Sequence, residues 1–408
     1  MPVRSVSGSN QVLAQRLYTL AYILLIIKYT LEPSLLAPWP GPVDTIFRAA
    51  FLVLLCIKLA FQTYTVRNLI FSGIVAVICL YSSLNAHYTS PLLSLLLILA
   101  LQDVDLHYVL RAGYRTKTLL VAVHVVCYIV FILVSPESVS VGHRSGVARH
   151  YFFLGHPNLF TTVVVWTCLE FLYVNYHRIR GIHLVLILFV NAVFYYFTGS
   201  RSGFFVLVIV AVLTVLDKAG LHPVKAATQA FARYGFGVCS VVCIALTAVY
   251  TPSISVGARK LWLVINDLLH GRLVFGAYAY HNFGYTWLGR VLRMPDKVYY
   301  NGHWLDGVIF DNSYQWLFLV YGSVFLIMIA LLFFLTVKKM NSIGKIIICA
   351  FILFAMTENY IVNVVVCFPL LLAGMYVHEP RTIPDSSGVE SSDISGEGIV
   401  PLWKSKSV

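Results

Sequence analysis

Apolar stretches of about 20 residues recur along this chain, separated by short polar connections, and they leave few folds open to it. A segment of that length and character is what a helix needs to cross the hydrocarbon core of a bilayer. Twelve such stretches are expected, near 17–36, 46–65, 68–87, 90–102, 117–135, 158–175, 182–198, 202–216, 234–251, 312–335, 343–359 and 361–377. The last two are nearly fused through Glu358-Asn359-Tyr360, as in a tight hairpin. Charged residues make up only 11% of the chain and hydrophobic ones 59%. A soluble domain needs roughly 25% charged residues to cover its surface. The expected fold is therefore all-α: a polytopic membrane helix bundle of about 12 spans over residues 1–377.

One segment breaks the pattern. Pro252–Asp311 is polar, long and rich in tyrosine and tryptophan, and it carries Arg259, Lys260, Arg272, Arg290, Arg293 and Lys297. Long connections in compact chains are usually functional or internally folded. Leu261, Val264, Ile265, Leu268 and Leu269 recur at helical spacing, and Gly271 is a plausible stop, so a short amphipathic helix is expected there. A second is expected from Arg272 to about His281. The tail 378–408 is rich in Ser, Gly, Pro and acids, and is expected to be a disordered cytoplasmic segment.

Positive charge in the connections orients the spans. With the N-terminus inside, twelve Lys and Arg fall in inner connections, among them Arg111, Arg115 and Lys117. Four fall in short outer ones: Arg48, Arg144, Arg149 and Arg201. Both termini are then cytoplasmic and Pro252–Asp311 is extracytoplasmic. No cleavable signal peptide is expected, since the first span lacks a small-residue cleavage site. The net charge of +12 is spread over loops, which fits topology and anionic lipid rather than nucleic acid. The eight cysteines all fall in apolar stretches and form no disulfide or zinc pattern, and no metal site is expected.

Four polar clusters land on the outer side: Gly155-His156-Pro157-Asn158, Thr198-Gly199-Ser200-Arg201-Ser202-Gly203, the long loop with Arg272, Arg290 and Arg293, and Asp311-Asn312-Ser313. Spans six, eight and ten would start there, with free N–H groups and the positive dipole end. Such ends bind phosphate, and arginine offers a planar fork for its oxygens. Ordinary structural roles compete with this: Pro157 as a helix start, Asp311 as an N-cap, Arg201 as a snorkelling charge. Lys28 and Glu32 lie i, i+4 in the first span as an internal ion pair. Lys58 and Glu170 are expected near cytoplasmic ends, able to snorkel, and Glu358 near the outer end of the last hairpin, where it could join the site.

These clusters, in this order, resemble a known family. Gly155-His156-Pro157-Asn158, the Thr198–Gly203 turn, Leu268-Leu269-His270-Gly271-Arg272, Leu288-Gly289, and Asp311-Asn312-Ser313-Tyr314 followed by Gly322 are similar to Wzy-type oligosaccharide repeat-unit polymerases. Those belong to the O-antigen polymerase and ligase superfamily of GT-C-like, lipid-dependent glycosyltransferases. The resemblance covers roughly residues 140–335. It implies a donor and an acceptor on undecaprenyl pyrophosphate, no metal or other cofactor, and inverting glycosyl transfer outside the membrane. It assigns Arg201 and Arg272 to the pyrophosphate and Asp311 to the acceptor hydroxyl. Asp311 stands where the family often has histidine, and an ordinary carboxylate is the weaker base. His156, Asn158, Ser200, Arg259, His281, Arg290, Arg293 and Asn312 are the candidate substrate contacts. Membrane lipid is a partner, and a flippase and a chain-length regulator would act beside it. A ligase of the same superfamily and a transporter of lipid-linked sugars are the rival functions.

Overall fold

The structure is a computed structural model that describes residues 8–36, 38–139, 141–144, 147–250, 256–268, 271–293, 295–300, 303–306 and 311–375. The tail 378–408, Leu269, His270 and the side chain of Arg259 lie outside the described residues.

Residues 1–378 group as one compact unit, mostly helical. Helices α1 (Gly8–Leu31) and α2 (Gly41–Ala60) pair, followed by α3 (Val66–Ala86), α4 (Ser90–Leu99) and α5 (Leu106–Val134). A hairpin of β1 (Val141–Arg144) and β2 (Val147–His150) leads into α6 (Pro157–Asn175), α7 (Gly181–Thr198), α8 (Arg201–Lys218) and α9 (His222–Val249). Then come α10 (Val256–Leu268), α11 (Arg272–Phe283) and a second hairpin, β3 (Lys297–Tyr300) with β4 (His303–Asp306). The chain closes with α12 (Ser313–Trp316), a π turn over Leu317–Tyr321, α13 (Ser323–Thr336), α14 (Ser342–Ala355) and α15 (Pro369–Met375).

Among the described residues, six helices are long and apolar enough to cross a membrane: 10–31, 68–86, 106–134, 157–178, 181–198 and 222–249. That fits a membrane protein, with half the spans expected from sequence. The other apolar stretches are helical but shorter, broken or more charged. Helix α2 contains Asp44, Arg48 and Lys58, and α8 contains Arg201, Asp217 and Lys218. The span expected at 312–335 is broken at Gly322 (φ +95°). The last pair becomes α14 and the seven-residue α15, joined by an irregular stretch that places Glu358 outside any helix.

That irregular stretch is buried yet satisfied, as backbone in an apolar setting must be. The Ser94 hydroxyl donates to the Val362 carbonyl and accepts from the Val364 amide. The Asn363 side chain accepts from the Val365 and Val366 amides. Helix α6 forms the centre: two thirds of its apolar window (67%) is buried, against 17% in α5 and α7. Trp166 on α6 meets Phe351 and Phe354 of α14 and Phe368 edge-on. The outer helices turn leucines and valines outward, which suits lipid rather than water.

Several charges sit differently from expectation. Asp105 caps α5 by accepting from the His107 and Tyr108 amides, so that helix starts early. Arg111, Arg115 and Lys117 are therefore helical rather than in a connection. Lys117 is buried and donates to Glu170 at 2.5 Å, where Tyr22 also donates. Lys58 donates to the Gln102 carbonyl instead of snorkelling. Lys28 pairs as expected with Glu32, the residue after α1, and also meets Asp44 on α2. Helix α10 exists, but Asn266 faces inward and Leu261 and Val264 face out.

Candidate functional site

Local sequence sets three helix starts. At α6, His156 is extended and its Nδ1 accepts from the Asn158 amide, while Pro157 takes the first helical position, where no N–H is needed. At α8, Gly199 adopts φ +63° and ends α7 by donating to the Tyr195 carbonyl, so that only Gly199 and Ser200 separate the helices and Arg201 opens the next. At α11, Gly271 adopts φ +82°, a conformation that favours glycine, and donates to the Asn266 carbonyl. Asn266 Oδ1 then accepts from the Val274 amide in the first turn.

The chain after α11 is clipped to the break before α13. Ser323 and Val324 amides bond the Thr286 and Trp287 carbonyls, and the Arg290 amide bonds the Val320 carbonyl. The approach is close: a Cβ on Gly322 would lie 2.4 Å from the Trp287 oxygen. Leu288-Gly289 and Gly322, far apart in sequence, thus meet.

Glu358 is the point on which the starts converge. Its Oε1 accepts from Ser202 Oγ of α8 at 2.8 Å and lies 3.5 Å from Asn158 Nδ2 of α6. Arg272 Nη2, from the first residue of α11, lies 3.9 Å from the same oxygen and 3.3 Å from Asp311 Oδ2. Arg272 Nη2 also donates to the Thr357 carbonyl at 2.9 Å. Arg149 on β2 completes the group, donating to Asn158 Oδ1 at 2.8 Å and to the Thr198 carbonyl at 2.6 Å. Asn312 caps α12, accepting from the Tyr314 and Gln315 amides, and donates to the Met356 carbonyl. The Ser313 hydroxyl donates to the Glu358 carbonyl.

Burial pushes the Glu358 carboxyl up to about 8, with the Asp311 charge acting in the same direction. The Ser202 bond and the charges of Arg272 and Arg149 pull the other way without prevailing. Burial and Arg149 hold His156 below the ordinary histidine value, opposed by Asp311. Arginine forks beside helix starts suit an anion. Two carboxyls of different exposure, Asp311 partly open and Glu358 buried, suit the holding of a proton. Among the described residues no group of three or more His, Cys, Asp or Glu gathers as metal ligands.

Of the residues singled out from sequence, Arg272, Asp311, Asn158 and Asn312 are joined by these contacts, and His156 caps α6 beside them. Arg201 is exposed at the start of α8, next to Ser202, which reaches Glu358. Ser200 is buried in the same turn. Arg290 donates to the Gly284 carbonyl and braces the clipped loop. Arg293 and His281 are exposed, with no bond to this cluster. Arg149 counted in the sequence only as an outer-loop charge, and Ser202 only as part of a turn; nothing local marks either as a partner. Glu358 did carry a signal, as an ionisable residue between two apolar runs.

Comparison with family models, with curated proteins and with solved structures found no match for this chain.

Proposed function

We propose that the chain is a membrane glycosyltransferase that polymerises undecaprenyl-pyrophosphate-linked oligosaccharide repeat units at the outer face of the cell membrane. The observation that carries this is the gathering of Arg272, Asp311 and the Arg201-Ser202 turn around Glu358, at the starts of α6, α8 and α11. The sequence pattern resembling Wzy-type polymerases runs through the same residues. About twelve membrane-crossing elements, cytoplasmic termini and an outer Pro252–Asp311 loop belong to this proposal.

The acceptor hydroxyl oxygen bonds to the anomeric carbon of the donor sugar. The bond from that carbon to the pyrophosphate breaks, and its electron pair leaves on the phosphate oxygen. The hydroxyl proton passes to Asp311, the more exposed carboxyl. Arg201 and Arg272 meet the charge that grows on the departing pyrophosphate, where preorganised donors contribute most. Neither a metal nor another cofactor takes part.

One observation favours a second function. The irregular, buried stretch between α14 and α15 places an ionisable residue beside broken helices, which is how transporters of lipid-linked sugars would be built. Cells carrying Arg201→Ala or Arg272→Ala separate the two. A polymerase loses long glycans while single lipid-linked repeats still reach the outer face. Repeats trapped inside indicate a transporter, and normal polymer in both variants rejects the polymerase.

A further inference from the structure

We propose that Glu358 is a positioning residue for the pyrophosphate: with its carboxyl protonated it leaves Arg272 to the substrate, and when ionised it draws Arg272 back. The inference rests on the polymerase reading and adds to it the state in which the site binds.

The geometry comes first. One nitrogen of Arg272 stands between two carboxyls, 3.3 Å from Asp311 and 3.9 Å from Glu358. A phosphate reaching that guanidinium competes with both. Asp311 is a third exposed and can turn toward water, whereas Glu358 is only 3% exposed and held from two other helices by Ser202 and Asn158. A buried carboxylate cannot move aside, so it yields a cation only by losing its charge.

The charges facing it are few. Arg149 comes from β2, Arg272 from α11 and Asp311 from the residue before the α12 cap, and His156 on the cap of α6 senses the same Arg149 and Asp311 charges. The Tyr360 phenol and the Cys367 thiol also sense its charge. With Glu358 ionised, Arg149 and Arg272 only balance the two carboxyls, and a pyrophosphate adds two uncompensated negative charges. With Glu358 neutral, part of that repulsion is gone. The carboxyl value of about 8 puts the change within reach of experiment.

The probe is a short-chain prenyl pyrophosphate diester of a sugar, which has no ionisation of its own near neutral pH. Its binding to the purified full chain in detergent is measured from pH 6 to 9.5. Wild type should bind with constant affinity up to about pH 8 and lose up to tenfold per pH unit above it, the limit for one linked proton. Glu358→Gln, neutral at every pH, should stay flat to pH 9.5 and bind there more tightly than wild type. Ser202→Ala removes a donor that favours the ionised form, so its break should move to higher pH. This second variant stands if Glu358→Gln does not fold. Equal pH profiles in wild type and both variants overturn the role of Glu358 alone. Arg272→Ala serves as the control: probe that binds it as well as wild type, or no binding by wild type at any pH, overturns the polymerase reading as well.

Discussion

Removing the Arg272 guanidinium should cost more stability at pH 9 than at pH 6.5. At pH 6.5 Glu358 keeps its proton, since its carboxyl sits near 8. Arg272→Ala then loses the charged donor to the Thr357 carbonyl, about 1.5 kcal/mol. It also loses a pair with the part-exposed Asp311, where screening leaves about 0.5 kcal/mol. The loss at pH 6.5 is therefore about 2 kcal/mol. At pH 9 Glu358 is ionised and buried, and taking away its cation is a broken buried pair. Such breaks cost about 3–5 kcal/mol, of which Glu358 recovers part by taking up a proton. One proton linked over the pH unit from about 8 to 9 adds at most about 1.4 kcal/mol, so the total should reach about 3.4 kcal/mol. Unfolding of wild type and variant in the same mixed micelles, at both pH values, reads the difference. An equal loss at the two pH values would refute the placement of Arg272 between two carboxyls of different protonation.

Other consequences follow from the same contacts. Arg201→Ala should leave the unfolding midpoint within error of wild type, because Arg201 is exposed and its helix start is held by Gly199 and Ser202; polymer formation should nevertheless be lost. Glu358→Gln should flatten the dependence of stability on pH. The raised carboxyl keeps a proton that the unfolded chain releases from about 4.5, so wild type loses stability as pH climbs from there to about 8 and the variant does not, as melts across that range would record. Gly322→Ala should destabilise by roughly 2 kcal/mol or more, since its φ of +95° is strained for alanine and its Cβ meets the Trp287 carbonyl; accelerated proteolysis between α11 and α12 would report it. Lys117→Ala should cost about 3–5 kcal/mol by stranding Glu170, and Lys117→Ala with Glu170→Gln should recover much of it in the same unfolding assay.

Much of this arrangement is legible before any coordinates. The helix starts are written in Pro157, the Gly199-Ser200 turn and Gly271, because backbone chemistry at a helix start is local. Arg272 stands out for the same reason, directly after a glycine that must take positive φ. The number of crossings is less legible, since an apolar run of 20 residues does not reveal whether its backbone stays helical. Residues 356–368 are apolar yet irregular because Ser94, on a distant helix, and Asn363 supply the missing bonds. The hairpins escape notice because four-residue strands show no period. The face of α10 is misjudged because Asn266, polar by type, is called inward by the Val274 amide. Arg149 belongs to the cluster through tertiary contacts alone, to Asn158 and the Thr198 carbonyl, whereas Glu358 is marked by its charge between apolar runs but its partners Ser202 and Arg272 are not.

Whether this chain joins repeat units can be asked of the purified protein in lipid vesicles, given only an undecaprenyl-pyrophosphate-linked oligosaccharide. A polymerase built around Arg272 and Asp311 should yield a ladder of glycans at whole multiples of the repeat, with free undecaprenyl pyrophosphate released for each link and no ladder from Arg272→Ala. Starting units that remain single, in vesicles where wild type is folded and both substrates are accessible, would contradict it.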